Sequence, residues 1–109
     1  MVEVLAHRGA SRAARENTIE AFRLAAELGS DGVELDVRRT ADHLLVVHHD
    51  PRLADGRVIG DVQSVDLPSH VPQLGAALDA CSEMWVNVEI KNDPSEPDFD
   101  PADSIADQT

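Results

Sequence analysis

Two runs in this sequence of 109 residues place ionisable side chains at alternating positions: Gly32-Val33-Glu34-Leu35-Asp36-Val37 and Val86-Asn87-Val88-Glu89-Ile90-Lys91. In an extended strand residues two apart share a face, so Glu34 and Asp36 point the same way, as do Glu89 and Lys91. Like charges so placed are costly unless something positive sits among them. Cys81 is the only cysteine, so three carboxylates without thiol partners suit a hard divalent cation bound through oxygen, Mg²⁺ or Ca²⁺. His7 and His49 add two groups whose ordinary pKa, about 6.5, suits a general acid and a general base. Arg8 and Lys91 carry the charge that an anion such as phosphate requires. The set His7, Arg8, Glu34, Asp36, His49, Glu89 and Lys91 reads as metal-assisted hydrolysis of a phosphate ester.

The elements that must position this set follow from the pattern around it. Val2 to Ala6 is a short apolar run interrupted only by Glu3, long enough for a buried strand that ends in His7-Arg8-Gly9. After a polar loop, Asn17 with Glu20 three positions later reads as a helix cap, Ile19, Phe22 and Ala26 share a face, and Gly29 suits a left-handed helix end. The second strand runs from Gly32 to about Arg39. Ala41-Asp42-His43 predicts a turn, and Leu44 to Val47 must return antiparallel because so few residues separate the runs. The midpoint of residues 36 and 49 falls inside that turn, which brings His49 back to the level of Asp36.

Residues 51–72 hold Asp-Gly and Ile-Gly pairs and read as an irregular excursion with one turn of helix. Pro72 suits the first position of a helix whose apolar stripe is Leu74, Ala77, Leu78 and Cys81. Trp85 to Lys91 is a further strand, and Asp100-Pro101-Ala102-Asp103 announces a helix. His48 and His49 are adjacent, so only one of them is expected to face the site, and parity does not choose between them. His43 and His70 read as a turn and a loop residue, Cys81 as core, and Trp85 as packing.

Composition narrows the partners. The formal charge is −12, and the stretch from Asp93 onward contributes −6 of it through Asp93, Glu96, Asp98, Asp100, Asp103 and Asp107 with no base, so nucleic acid is not an expected partner. No run of 18 apolar residues and no basic-then-apolar leader occurs, which leaves a cytoplasmic location without a membrane span as the expectation.

Strand–helix alternation implies parallel strands covered by helices, with ligands at the strands' carboxyl ends. A doubly wound sheet hides apolar residues on both faces, whereas here one face of two strands is charged; an α/β barrel whose mouth lines a polar site fits better. Eight βα units take about 250 residues, so this length holds roughly three.

His7-Arg8-Gly9, Glu16-Asn17-Thr18 with Ala21-Phe22, Glu34-x-Asp36-Val37, Val46-Val47-x-His49-Asp50 and Val88-Glu89-Ile90-Lys91 resemble the successive signatures of the glycerophosphodiester phosphodiesterase family. The resemblance implies a TIM-type (β/α)₈ barrel of the phospholipase-C-like phosphodiesterase kind, with residues 1–109 as the amino-terminal part of one barrel domain. It further implies hydrolysis of glycerophosphodiesters to an alcohol and glycerol 3-phosphate. Carried over, Glu34, Asp36 and Glu89 hold the metal, His7 and His49 form the acid/base pair, and Arg8 and Lys91 contact the phosphate. Arg15 and His43 depart from the family pattern, where proline and glycine are usual. Two other readings are a related phosphodiesterase acting on lysophospholipid or sphingolipid head groups, and a non-catalytic fragment or partner-dependent βα module. Three strands leave two unpaired edges, which predicts self-association and little activity for these residues alone.

Overall fold

The computed structural model describes residues 5–7, 16–92 and 94–97, the first three by their backbone alone. The first residues of the expected first strand, Arg8, most of the polar loop after it and the helix expected from Asp100 lie outside the described residues. The elements run β1 (Leu5–His7), α1 (Ile19–Glu27), β2 (Gly32–Arg39), β3 (Leu45–Val47), α2 (Leu74–Ala80) and β4 (Trp85–Ile90), with two single 3₁₀ turns at Ile59–Asp61 and Ser64–Asp66. The excursion thus holds two short turns rather than one.

β2 is the spine, and the alternation in its sequence explains why. Val33, Leu35 and Val37 lie wholly buried on one face, against Phe22 and Ala25 of α1 and Leu74, Ala77 and Cys81 on or just after α2. Burying each large apolar side chain contributes about 1.5–3 kcal/mol, so this helix layer fixes which face of β2 turns inward. Burial also pushes the Cys81 thiol up to about 11, which suits a core residue and not a nucleophile.

β1 pairs parallel with β2 from Leu5↔Gly32 to His7↔Glu34, and β4 pairs parallel on the opposite edge from Gly32↔Trp85 to Val37↔Ile90. Beyond the end of β1 the same edge of β2 is taken over by β3, antiparallel from Val37↔Val47 to Arg39↔Leu45. The far side of β3 is closed by Val47 N–H donating to Pro72 O at 2.9 Å. A second apolar cluster, Val46, Leu53, Ile59 and Val71, packs the excursion against the hairpin.

The hairpin register differs by one residue from the expected one. Thr40 N–H donates to Leu44 O at 2.9 Å, closing a three-residue loop centred on Asp42, with His43 in the left-handed region at φ 65°. His48 consequently stands opposite Asp36, its N–H donating to Asp36 O at 3.0 Å, and His49 lies one position beyond. Three-residue hairpin loops favour glycine at the position His43 occupies, so the departure from the family pattern falls where the backbone is most demanding.

Helix boundaries also move. Thr18, not Asn17, caps α1, its Oγ1 accepting Ala21 N–H at 3.2 Å. Gly29 takes the left-handed end at φ 81°. Ala25 is buried and Ala26 exposed, because the inward face of this nine-residue helix is Ala21, Phe22 and Ala25, which stand three and four positions apart. Gln73 is the residue before α2, so Pro72 precedes the helix instead of opening it, and Leu78 is 40% exposed while Leu74, Ala77 and Cys81 are buried. No helix among the described residues is long and apolar enough to cross a membrane.

Candidate metal centre and active site

On the other face of β2 the alternation places Glu34, Asp36 and Arg38, all buried. Asp36 stands level with Glu89 across the parallel β2–β4 pairing, and neighbours in register share a face, so Glu89 joins the two acids of β2. One oxygen from each of Glu34, Asp36 and Glu89 lies within 4.8 Å of the others. Glu89 is the open side of the group, its side chain 53% exposed where Asp36 is 0% exposed.

The electrostatics are lopsided. Burial, followed by the hydrogen bond and charge of Asp36 and then of Glu89, pushes Glu34 up to about 7. Burial acts in the same direction on Asp36, but it is outweighed by hydrogen bonds from Asn17 and Glu34 and by the charges of Lys91 and His49, which hold Asp36 below the usual carboxylate range. Asn17 Nδ2–H donates to Asp36 Oδ2 at 2.9 Å. Lys91 Nζ donates to Glu89 Oε1 at 2.8 Å and stands 3.7 Å from Asp36 Oδ1. Burial lowers Lys91, yet Glu89 and Asp36 more than reverse this and its pKa is raised. Lys91 therefore pairs with both acids, not with Glu89 alone.

The donor set fits a divalent cation: three carboxylate oxygens, no sulfur, converging from two strands on a partly open point. A monovalent ammonium at the rim leaves Glu34 held near neutrality, whereas a doubly charged ion among the oxygens would favour all three ionised.

His49 reaches the same region from the hairpin. Its Nδ1 is 2.7 Å from Asp50 Oδ1, and a carboxylate only accepts, so Nδ1 carries the hydrogen and Nε2 remains the basic nitrogen. Arg38, 1% exposed, donates from Nε and Nη2 to the His49 carbonyl at 3.0 and 2.6 Å and pairs with Glu96 Oε2 at 3.2 Å. Contrary to the expectation that only one of the adjacent histidines faces the site, His48 and His49 both line, with Asn17, Arg52 and His70, a cleft of about 960 Å³. It meets the cluster through the Asn17–Asp36 bond, and Glu34, Asp36, Glu89 and Lys91 are not among its lining residues. Of the seven expected site residues, Glu34, Asp36, Glu89 and Lys91 converge, and His49 stands close enough for its charge to act on Asp36. The backbone of His7 pairs with Glu34 at the end of β1, and Arg8 lies outside the described residues.

Two further residues belong to the site. Asn17, read from sequence as a cap, points to Asp36; Arg38, visible only as a third charge in the β2 alternation, braces the His49 backbone. Asn17 lies within the Glu16-Asn17-Thr18 signature, which does not say what the amide contacts, and Arg38 shows in the sequence only as a polar residue on an otherwise accounted-for strand.

Residues 7–108 match the model of the glycerophosphoryl diester phosphodiesterase family. The chain belongs to this family. A glycerophosphodiester phosphodiesterase from Caldanaerobacter subterraneus is 62% identical over 47 residues, which is 43% of this chain and 19% of that protein. Among solved structures, the glycerophosphodiester phosphodiesterase of Thermotoga maritima superposes on 99% of this chain and 49% of its own at 33% identity and a TM-score of 0.81. A phosphodiesterase of Oleispira antarctica, solved with the product sn-glycerol-3-phosphate, covers 84% of this chain and 45% of its own at 31% identity and a TM-score of 0.78. The three parallel strands and their helices are thus part of a TIM-type barrel, and the chain spans about half the length of these solved relatives.

Proposed function

We propose that this chain carries the metal-binding half of a phosphodiesterase site that hydrolyses glycerophosphodiesters to an alcohol and glycerol 3-phosphate. The convergence of Glu34, Asp36 and Glu89 in a member of this family is the observation that carries the reading. In it, these three residues hold Mg²⁺ or Ca²⁺, and a divalent ion so held polarises the phosphate ester as a Lewis acid. His49, its tautomer set by Asp50, moves a proton at Nε2, and His7 at the end of β1 serves as the second acid/base group. Lys91 and Arg8 contact the phosphate, Lys91 from its place between Asp36 and Glu89. The location proposed is the cytoplasm.

Because the chain spans about half of its solved relatives, the assay takes two forms. Residues 1–109 with Mg²⁺ or Ca²⁺ are offered glycerophosphocholine and glycerol 3-phosphate release is followed; little or none is expected from this length alone. A chimera in which residues 5–91 replace the matching segment of the Thermotoga maritima enzyme is then expected to be active. There, His49→Ala and His7→Ala each lower kcat by about 10²–10⁴-fold. An inactive, folded chimera, or full activity in both alanine variants, would overturn the reading. Profiling lysophospholipid and sphingolipid head groups on the active chimera fixes the leaving alcohol.

A further inference from the structure

The bond between Asn17 and Asp36 joins two residues 19 positions apart and is made by a side chain that the helix start does not need, since Thr18 already supplies the cap. Asn17 is 3% exposed, and its backbone sits in the left-handed region at φ 54°, which residues other than glycine seldom adopt. Asparagine tolerates that conformation best among the residues with a side chain, but glycine would satisfy the backbone more easily. What glycine lacks is the amide. Asp36 as a carboxylate only accepts, so the NH₂ side of the amide must face it, and Asn17 Oδ1 is left as a buried acceptor beside the cleft that Asn17 lines.

From this geometry we infer that Asn17 is a positioning residue for Asp36: its Nδ2–H bond to Oδ2 fixes the rotation of the carboxylate and sets Oδ1 on the Lys91 side of the cluster. Without that bond the Asp36 carboxylate can rotate away from the point where Glu34 and Glu89 converge. Partners that orient a metal ligand in this manner typically govern 10–100-fold of ion affinity. The inference rests on the metal reading proposed above for Glu34, Asp36 and Glu89.

Asn17→Gly separates this role from a purely structural one, because glycine keeps the left-handed backbone and removes only the side chain. Calorimetric titration of the 109-residue protein with Ca²⁺, and separately with Mg²⁺, should show affinity 10–100-fold weaker in Asn17→Gly than in the wild type, with the near- and far-ultraviolet circular dichroism unchanged. Equal affinity in the two folded proteins overturns the inference. A measurement on the ion-free wild type guards against a variant that fails to fold. The Asn17 side-chain NH₂ should give a resolved, exchange-protected NMR signal that loses its protection in Asp36→Ala. An unprotected signal, or one indifferent to Asp36→Ala, also overturns the inference. If the wild type binds neither ion while the amide signal behaves as expected, the metal reading fails and the positioning of Asp36 by Asn17 stands.

Discussion

The ion-free protein should lose stability as the pH rises from about 4.5 to about 7, the reverse of the usual behaviour of a carboxylate. Glu34 is 5% exposed and sits beside two other acids, so the folded state holds its proton up to about 7 against an ordinary value of 4.5. Between those values the folded chain binds more protons than the unfolded one, and stability then falls with pH. At 1.36 kcal/mol per pH unit the gap amounts to about 3 kcal/mol, present in full below 4.5 and lost by about 7. Asp36 and Asp42 do not mask the trend, because both are shifted downward from 3.8 and their contributions change below this window. Urea unfolding at intervals from pH 4.5 to 8 measures the effect. For a domain of this size 3 kcal/mol corresponds to more than about 10 °C in Tm. If the ionised cluster holds Mg²⁺ or Ca²⁺ as proposed, a saturating ion should flatten the profile and release close to one proton per ion below pH 7. Glu34→Gln should remove the slope. A stability that is level or rising from pH 5 to 7.5 without metal, or a slope that survives Glu34→Gln, refutes the placement of Glu34 in a charge-strained cluster.

Other perturbations test the supporting structure. Gly32→Ala places a Cβ 2.6 Å from the Trp85 ring and 2.8 Å from its carbonyl oxygen, so β2 and β4 must part; a loss of about 1–3 kcal/mol is expected in urea unfolding, with a shift in the fluorescence of the single tryptophan. Arg38→Met removes both donors to the His49 carbonyl and leaves Glu96 without its buried partner, at a cost of about 2–4 kcal/mol by the same measurement. On the proposed roles, it should lower kcat in the chimera more than it raises KM, since His49 would be displaced while Glu34, Asp36 and Glu89 stay. Hydroxyls of Ser64 and Thr40 hold Asp42 down to about 2, so Asp42→Asn should blunt the loss of hairpin order as the pH falls from 3.8 toward 2, read by amide exchange of Thr40 and Leu44.

How far the sequence could be read depended on whether a residue's partner was local. Strict alternation gave β2 its limits at Gly32 and Arg39, and the same alternation in β4 put Glu89 beside Asp36. Gly29 could be placed because a helix end is a local event. The hairpin register missed by one residue because a three-residue loop centred on Asp42 and a four-residue loop centred between Asp42 and His43 differ only in the φ that His43 accepts. Asn17 was misread for a different reason: asparagine is an excellent cap, and nothing within four residues reveals that its amide answers to Asp36. Arg38 escaped notice because a charged residue on a strand ordinarily faces water, and the partners that satisfy it while buried, the His49 carbonyl and Glu96, stand 11 and 58 positions away. The exposure of Leu78 likewise depends on where α2 begins, which Pro72 alone does not determine.

The change of partner along one edge of β2, from β1 to β3, has a kinetic consequence. The β2–β3 pairs, from Arg39↔Leu45 to Val37↔Val47, join residues 6 to 10 apart, whereas β1–β2 joins residues 27 apart and β2–β4 residues 53 apart. Short loops close first, hairpins forming in about 1–10 μs, and long-range pairings come later. Asp36 and the histidine arm are therefore expected to assemble early, and Glu89 to arrive with the most distant strand. The repulsion among the three acids then falls on the last step of sheet formation. A divalent cation bound there as proposed should act as a folding accelerant, raising the refolding rate and not merely retarding unfolding, and so help to complete the sheet around the site.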